Sequence, residues 1–235
     1  MSDALDPDLQ LLSARVGHLF ETPALLRQAM AHRSWCAEAG LGEPSNERLE
    51  FLGDAVLGWA VADLVYRRYR DLPEGKLTDL RKSVVNATAL AEVAMVLDIG
   101  SCLFLGKGEA AAGGRCKPSI LSDAFEAVLG AVYLDAGSAV AFAFVERVLG
   151  ARLDTALAQL DQLDHKTLLQ ETASKRFDLA PVYILREDGP DHAKRFYATV
   201  VIAGQTWGSG EGRSKKLAEQ AAATVACAAL GVGAS

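Results

Sequence analysis

Apolar residues recur at three- and four-residue steps through the first two-thirds of the chain, a spacing that places them on one helix face. Examples are Leu9-Leu12-Val16, Leu49-Leu52-Val56 and Leu90-Val93-Leu97. Turn-forming residues interrupt this pattern at Pro44-Ser45-Asn46, at Pro73-Glu74-Gly75 and between Gly106 and Pro118. We therefore predict an all-α segment made of several helices separated by loops.

After Leu157 the pattern loosens into a short polar connection, AQLDQLDHK, and then changes in kind. The spacing predicts a helix from Lys166 to Phe177 and a second from Ser214 to Leu230. Between them, alternation predicts strands at Val182–Arg186 and Phe196–Ile202, with a third opening at Thr206-Trp207. We predict a multi-domain protein, with an all-α domain over 1–158 and a small α+β domain of order α-β-β-β-α over 164–233.

The acidic N-terminal sequence MSDALDPDLQ has neither the basic nor the apolar region of a secretory signal. The longest uncharged stretches, such as Ala127–Leu134 and Ala221–Leu230, are shorter than the roughly 20 residues that a membrane span needs. We therefore expect a soluble, cytoplasmic protein with no membrane partner.

A net charge of −6 would argue against a nucleic-acid partner if it were spread evenly, but it is a sum over the whole chain. From Asp161 to Ser235 nine basic residues balance nine acidic ones, so the excess acidity belongs to the preceding segment. The four cysteines and four histidines are dispersed, without the spacing of a zinc site or a disulfide framework.

The segment NERLEFLGDAVL, residues 46–57, places Glu47, Glu50 and Asp54 on one face of a predicted helix. Repulsion between like charges at this spacing costs only tenths of a kcal/mol. An ordinary solvated acidic face therefore remains an alternative to a functional site at this position.

A second segment, SILSDAFEAVLGAVYLDAG at residues 119–137, carries Asp123 and Glu126 in a predicted helix that is otherwise apolar or small up to Leu134. Such a helix should be largely buried, and ionised carboxylates there cost several kcal/mol unless they are paired or bound to a metal. Two interpretations remain open: a metal ion, or a salt bridge to Arg48, Arg81 or Lys82.

Two acidic helices without nearby histidine or cysteine suit a hard cation bound through oxygen, which means Mg²⁺, with Mn²⁺ as a substitute. Magnesium commonly serves phosphate chemistry, in which it activates water and stabilises the leaving oxygen. No organic cofactor is indicated.

The segment NERLEFLGDAVL resembles the signature motif of the ribonuclease III family. The segments LPEGKLTDLR, LGKGEAAAGGR and SILSDAFEAVLGAVYLDAG follow in the family's order. The resemblance implies that the metal-binding carboxylates are Glu50, Asp54, Asp123 and Glu126, with Asp54 and Glu126 the catalytic pair. It implies supporting acidic roles for Glu47, Glu74 and Glu109, although Pro73-Glu74-Gly75 also fits an ordinary exposed turn. Cys116 stands where relatives often carry a polar or basic residue.

Three cations, Arg213, Lys215 and Lys216, lie at the start of the last predicted helix. Cations are unfavourable there, whereas an anion gains the free amides and the positive end of the dipole, so a bound phosphate would explain the cluster. The last seventy residues resemble a double-stranded-RNA-binding domain. That resemblance implies further RNA contacts at Thr167, Gln170, Glu171, Pro190 and His192.

The resemblance implies a Mg²⁺-dependent endoribonuclease that cuts double-stranded RNA, leaves 5′-phosphate and 3′-hydroxyl ends with short 3′ overhangs, and processes ribosomal RNA precursors and other structured transcripts. It also implies a homodimer through the signature helix, where Gly53, Ala55 and Gly58 would permit close approach and Phe51 offers an apolar anchor. One alternative is a non-catalytic RNA-binding scaffold, and another is an acidic interaction module. Neither accounts for both the four carboxylates and the terminal cations.

Overall fold

A computed structural model describes residues 5–40, 42, 44–190 and 194–232, with the side chains of 161–164 excepted. The chain divides into two compact units, Met1–Ala156 and Leu157–Ser235. The α-helices are α1 Pro7–Val16, α2 Pro23–Ala29, α3 Arg33–Ala39, α4 Glu47–Arg68, α5 Glu74–Val84, α6 Ala87–Val96, α7 Ile99–Cys102, α8 Lys107–Ala111, α9 Pro118–Phe177 and α10 Lys215–Ala229. The strands are β1 Val182–Asp188, β2 Arg195–Ile202 and β3 Gln205–Gly212.

The first unit is a helical assembly, as its apolar spacing predicted. Leu9, Leu12 and Val16 of α1 are buried, and so are Leu49 and Val56 of α4. Side-chain caps stabilise the starts of α1 and α6, where Asp6 accepts a hydrogen bond from the Leu9 amide and Asn86 from the Ala89 amide. The interval from Gly106 to Pro118, expected to be a loop, also contains α8 and a short 3₁₀ helix at Gly114–Cys116.

Helix α9 supplies the centre of the first unit. Its early residues Ala124, Phe125, Val128, Leu129 and Val132 are fully buried. One stretch of α9 is long and apolar enough to cross a membrane by length and composition alone. Burial in the helical core explains that apolar character, and the non-helical backbone of Gly137, with φ of 79°, interrupts the helix.

A buried carboxylate on α9 holds the segment between α1 and α2. The Asp135 side chain, with 0% exposure, accepts hydrogen bonds from His18 Nε2 at 2.7 Å and from the amides of Glu21 at 2.9 Å and Thr22 at 2.8 Å. Burial alone would raise the pKa of Asp135, but these donors together lower it. Asp135 is therefore stabilised as a carboxylate by the fold itself.

The second unit is the predicted α-β-β-β-α arrangement. Its antiparallel sheet has the order β1-β2-β3, with Ile184 opposite Thr199 and Thr199 opposite Ser209. Ala198, Val200 and Ile202 of β2 are buried with Leu169 of α9 in the core. The polar stretch after Leu157, expected to connect two domains between helices, is itself helical, because α9 continues through it to Phe177.

Strand β3 packs against α10 through glycines. A Cβ on Gly208 would lie 2.5 Å from the carbonyl oxygen of Ala222, and a Cβ on Gly210 only 2.3 Å from the Ala222 amide nitrogen. Ala218 and Ala226 of α10 are also fully buried. The glycine-rich run GSGEG therefore belongs to a strand, and the alanines of α10 provide a close-packing face as well as favourable helix composition.

Candidate active site

Helices α4 and α9 cross in backbone contact at two glycines. A Cβ on Gly53 would lie 1.8 Å from the carbonyl oxygen of Glu126, and a Cβ on Gly130 would lie 2.3 Å from that of Leu49. Real Cβ atoms essentially never come within 3.0 Å of such atoms. The absence of side chains at Gly53 and Gly130 therefore lets the two acidic helices meet.

The crossing brings together carboxylates from both helices. One oxygen each from Glu50, Asp123 and Glu126 can be chosen so that all three lie within 4.8 Å of one another. All three side chains are partly buried. The structure thus assembles three of the four carboxylates that the sequence predicted as metal ligands, and we call these three the carboxylate cluster.

Asp54, the fourth predicted ligand, lies one turn after Glu50 on α4 and is exposed. Among the described residues it does not join the group of oxygens within 4.8 Å. Among the three neighbouring carboxylates, Asp54 nevertheless has the largest effect in raising the pKa of Glu126. Asp54 therefore lies at the edge of the carboxylate cluster, within electrostatic reach of it.

Burial and mutual repulsion make the cluster costly to ionise. Burial is the largest cause that raises the pKa of Glu126 to about 8, followed by the charges of Asp54, Asp123 and Glu50. The pKa of Glu50 is also raised, first by burial and then by Asp123, Glu47 and Asp54. Burial raises the pKa of Asp123, against opposing effects of the Ser122 hydroxyl and the charge of His32.

The salt bridges considered as an alternative are not formed. Over the ranges that the structure describes, Asp123 and Glu126 form no ion pair with Arg48, Arg81 or Lys82. The cluster therefore combines carboxylate oxygens at close spacing and, among the described residues, has no ion-pair partner. This donor set fits a hard divalent cation, which takes carboxylate oxygen ligands.

The three supporting acidic residues have different surroundings. Glu47 accepts a hydrogen bond from Ser45 Oγ at 2.7 Å, and its other oxygen lies 3.7 Å from Arg33. Glu74 is the first residue of α5 and accepts from Thr78 Oγ1 at 2.9 Å. Glu109 is paired with Lys117 Nζ at 2.6 Å, and this bond is the largest cause that lowers the pKa of Glu109.

The predicted RNA contacts of the second unit lie on exposed surface where they are described. Thr167, Gln170 and Glu171 are exposed along one face of α9, with Glu171 4.0 Å from Lys175. Pro190 is exposed after β1, whereas His192 lies outside the described residues.

Arg213, Lys215 and Lys216 are exposed around the start of α10. Ser214 caps this helix by accepting from the Leu217 amide at 3.3 Å. Lys215 Nζ lies 6.0 Å from the centre of the Phe196 ring. The cations thus surround a helix N-terminus, the arrangement for which phosphate was predicted as the partner.

Comparison with known proteins identifies both units. A family described as "Ribonuclease-III-like" matches residues 22–153, and the "Double-stranded RNA binding motif" matches residues 165–230. The "Ribonuclease 3" of Thermobifida fusca is 51% identical over 227 residues, which cover 94% of each chain. The chain belongs to the ribonuclease III family. It is therefore a hydrolase, a double-stranded-RNA endoribonuclease, and the enzyme prediction is confirmed over the scaffold alternative.

Solved structures of the family agree with the fold of the first unit. Two structures of the nuclease domain of ribonuclease III from Campylobacter jejuni resemble this chain. One has a TM-score of 0.58, 35% identity and coverage of 63% of this chain and 97% of that one. The other has a TM-score of 0.56, 36% identity and coverage of 60% and 95%. In that second structure, the region involved in dimer formation shows structural flexibility.

The two glycines of the helix crossing have a packing role that the sequence did not predict. Gly53 was expected to permit close approach of a second copy, but it is buried against α9 of the same chain. Gly130 received no role. One signal in the sequence could have indicated this role. A glycine in a helix interior costs about 1 kcal/mol relative to alanine, so its presence there suggests that close packing requires it.

Proposed function

We propose that this chain hydrolyses phosphodiester bonds of double-stranded RNA with Mg²⁺ held by Glu50, Asp54, Asp123 and Glu126, giving 5′-phosphate and 3′-hydroxyl ends. The observation that supports it most directly is the convergence of three carboxylate oxygens within 4.8 Å. Mn²⁺ should substitute, because it accepts the same oxygen donors.

When bound, the cation supplies an activated water and stabilisation of the leaving oxygen. The protein's own residues prepare that chemistry. Glu50, Asp54, Asp123 and Glu126 would hold the cation, and Asp54 and Glu126 would act closest to the reacting phosphate. Because the pKa of Glu126 is about 8, this carboxyl holds a proton near neutral pH in the metal-free protein and releases it when the ligand set is completed.

The test is cleavage of a labelled duplex of about 30 base pairs, long enough for a module that spans roughly 16 base pairs. We expect cleavage with Mg²⁺, none with EDTA, and recovery when Mg²⁺ is restored. Asp123→Asn should abolish cleavage, whereas Glu146→Gln, at an exposed carboxylate of α9 outside the cluster, should leave it unchanged. Cleavage in EDTA would contradict the proposal.

For the second unit, we propose that residues 164–233 form the RNA-binding domain and residues 1–158 the catalytic domain. Lys215, Lys216 and Arg213 would contact phosphates, because their charges flank a helix N-terminus. Minor-groove contacts would come from the exposed set Thr167, Gln170, Glu171 and Pro190, together with His192. Such domains recognise the shape of A-form RNA.

We also propose a homodimer through α4. Phe51 is 81% exposed, and beside it lies an open groove of about 710 Å³ lined in part by Leu25, Leu52 and Leu134. An exposed phenylalanine next to an apolar groove fits a second copy of the same surface. Ala55 is exposed and Gly58 has open space beside it, so both remain available to such an interface.

Two active sites in one dimer would cut opposite strands and leave short 3′ overhangs. Light scattering at micromolar concentration should give the mass of a dimer, and Phe51→Asp should give a monomer that still folds. A monomeric wild-type protein would contradict the homodimer. In the cell, we propose a cytoplasmic enzyme that processes ribosomal RNA precursors and other structured transcripts, including messenger and transfer RNA precursors.

A further inference from the structure

Lys166 of α9 and Glu219 of α10 form an ion pair across the second unit. Lys166 Nζ lies 2.8 Å from Glu219 Oε2, and it also lies 4.7 Å from the centre of the Tyr183 ring on β1. The side chains of Lys166 and Glu219 are 31% and 23% exposed. Because most of the pair is removed from water, the solvent screens it less than a fully exposed pair.

Lys166 lies at the border between the buried and the exposed faces of α9. Leu169, three residues later, is fully buried in the core of the second unit. Gln170, four residues after Lys166, is its neighbour on the helix surface and is exposed, as Thr167 is. Lys166 is therefore adjacent to the helix face that would enter the minor groove.

Glu219 has the corresponding place on α10. It follows Lys215 by four residues and Lys216 by three, so it lies one turn beyond both on the same side of the helix. Ala218, the preceding residue, is fully buried. A carboxylate repels phosphate, so its bond to Lys166, and not a contact with RNA, accounts for an acid at this place.

A second contact joins the two helices beside the ion pair. Cys227 Sγ of α10 donates to the carbonyl oxygen of His165 at 3.3 Å, and Lys166 is the next residue of α9. Leu169 of α9 and Ala222 of α10 are buried in one core. Apolar burial is non-directional, whereas the ion pair and the thiol hydrogen bond are directional contacts. These two contacts therefore limit how far α9 and α10 can slide past each other.

We propose that Lys166 and Glu219 are positioning residues for duplex recognition: their ion pair sets the distance between the α9 face that would enter the minor groove and the α10 start that would contact phosphates. The distance between a minor groove and the neighbouring phosphates differs between A-form RNA and B-form DNA, whose grooves have different widths and depths. The pair thus favours RNA duplexes over DNA duplexes. This inference rests on the RNA-binding surface proposed above.

The test compares the affinity of the full chain for RNA and DNA duplexes of one sequence and about 30 base pairs, in Ca²⁺ instead of Mg²⁺. Lys166→Met removes one charge and keeps an unbranched side chain over Tyr183, and Glu219→Gln removes the other charge. We expect each to weaken RNA binding by about five- to ten-fold and DNA binding by about two-fold at most. Lys166→Arg keeps the charge and should retain most of the RNA affinity.

The neutral double variant separates positioning from simple compensation of charge. With Lys166→Met and Glu219→Gln together, RNA binding should be as weak as in the single variants, because the bond between the helices is still absent. Recovery of wild-type affinity would mean that Lys166 only neutralises Glu219, and the proposal would be wrong. Equal losses for RNA and DNA would indicate a direct phosphate contact or unfolding and would also overturn it. Glu211→Gln, at an exposed acid paired with Arg195 at 3.4 Å between β2 and β3, is the matched control and should change neither affinity.

Replacing both Lys215 and Lys216 by alanine tests the binding surface itself. This variant should bind both duplexes more weakly, because RNA and DNA share the phosphate contacts. If it does so while the Lys166 and Glu219 variants keep the wild-type preference for RNA, the surface is supported and the positioning role is wrong. If the alanine variant changes neither affinity, the proposed surface is wrong, and the positioning role with it.

Discussion

Replacing Glu126 by glutamine should separate RNA binding, catalysis and stability. The substitution keeps the volume of the side chain and removes the charge that repels Asp54, Asp123 and Glu50. The duplex affinity, which we assign to the second unit, should stay within a few-fold of wild type in Ca²⁺. Cleavage should slow by orders of magnitude because the cation loses a charged ligand.

The effect on stability follows from the pKa. Folding raises the pKa of Glu126 from 4.5 to about 8, so the folded state disfavours the ionised form. The contribution of Glu126 to wild-type stability is therefore fully present below pH 4.5 and is lost as the pH rises through about 8. The glutamine variant has no group to ionise at this position and avoids that decline.

The size of the effect depends on how far water screens the cluster. At 1.36 kcal/mol for each tenfold change in the ionisation constant, a site closed to water would lose about 5 kcal/mol. Glu126 is only partly buried, and screening reduces this loss, so we expect about 1–2 kcal/mol at pH 8.5. For a chain of this size that corresponds to roughly 2–8 °C in melting temperature.

Thermal unfolding in EDTA between pH 5 and pH 8.5 measures the difference in stability between the Glu126→Gln variant and wild type. We expect the two proteins to be equal near pH 5 and the variant to gain steadily towards pH 8.5. Added Mg²⁺ should then favour wild type, because a ligand that binds the folded state stabilises it. Glu146→Gln should show neither effect. An advantage that is constant with pH, or near-wild-type cleavage by the variant, would refute the reasoning.

Three other substitutions test the packing and the RNA-binding surface. Gly53→Ala should destabilise the first unit by about 3 kcal/mol and abolish cleavage, because its Cβ would lie 1.8 Å from the Glu126 carbonyl oxygen. Gly108→Ala, with open space beside it, should be neutral or stabilising in thermal unfolding. Gly210→Ala should destabilise the second unit by about 2 kcal/mol and weaken duplex binding, whereas Ser209→Ala on the exposed side should change neither. Replacing both Lys215 and Lys216 by alanine should weaken binding to all duplexes alike and reduce the salt slope of log K by about 2, as gel-shift titrations at several salt concentrations would show. Arginine at both positions should preserve the slope, and an unchanged slope in the alanine variant would contradict the phosphate contacts.

The order of elements and the acidic residues were predictable because both depend on local pattern. Helical spacing around Leu49 and Val56, and strand alternation around Val200, persist in the folded units. The carboxylates Asp123 and Glu126 stood out because charge is rare in an apolar helix. The resemblance to ribonuclease III then connected them with Glu50, and the structure places the three side chains together.

What sequence could not provide was the distance between elements far apart in the chain. Gly53 and Gly130 are 77 positions apart, and neither residue's neighbours indicate that they face each other. The same holds for Gly210, whose partner is Ala222 on α10.

Helix α9 carries two carboxylates, nine residues apart, that folding treats in opposite ways. Asp135 receives three donors, which hold its pKa below the ordinary value, whereas Glu126 is crowded by three acidic groups that raise its pKa. The fold thus supplies hydrogen-bond donors to the Asp135 carboxylate, which anchors a segment of the structure. It supplies none of comparable effect to Glu126, where α4 and α9 cross. Ligand affinity and resting stability are consequently coupled at Glu126. A basic side chain placed beside Glu126 would stabilise the metal-free protein and, through its positive charge, weaken the hold of the site on a cation.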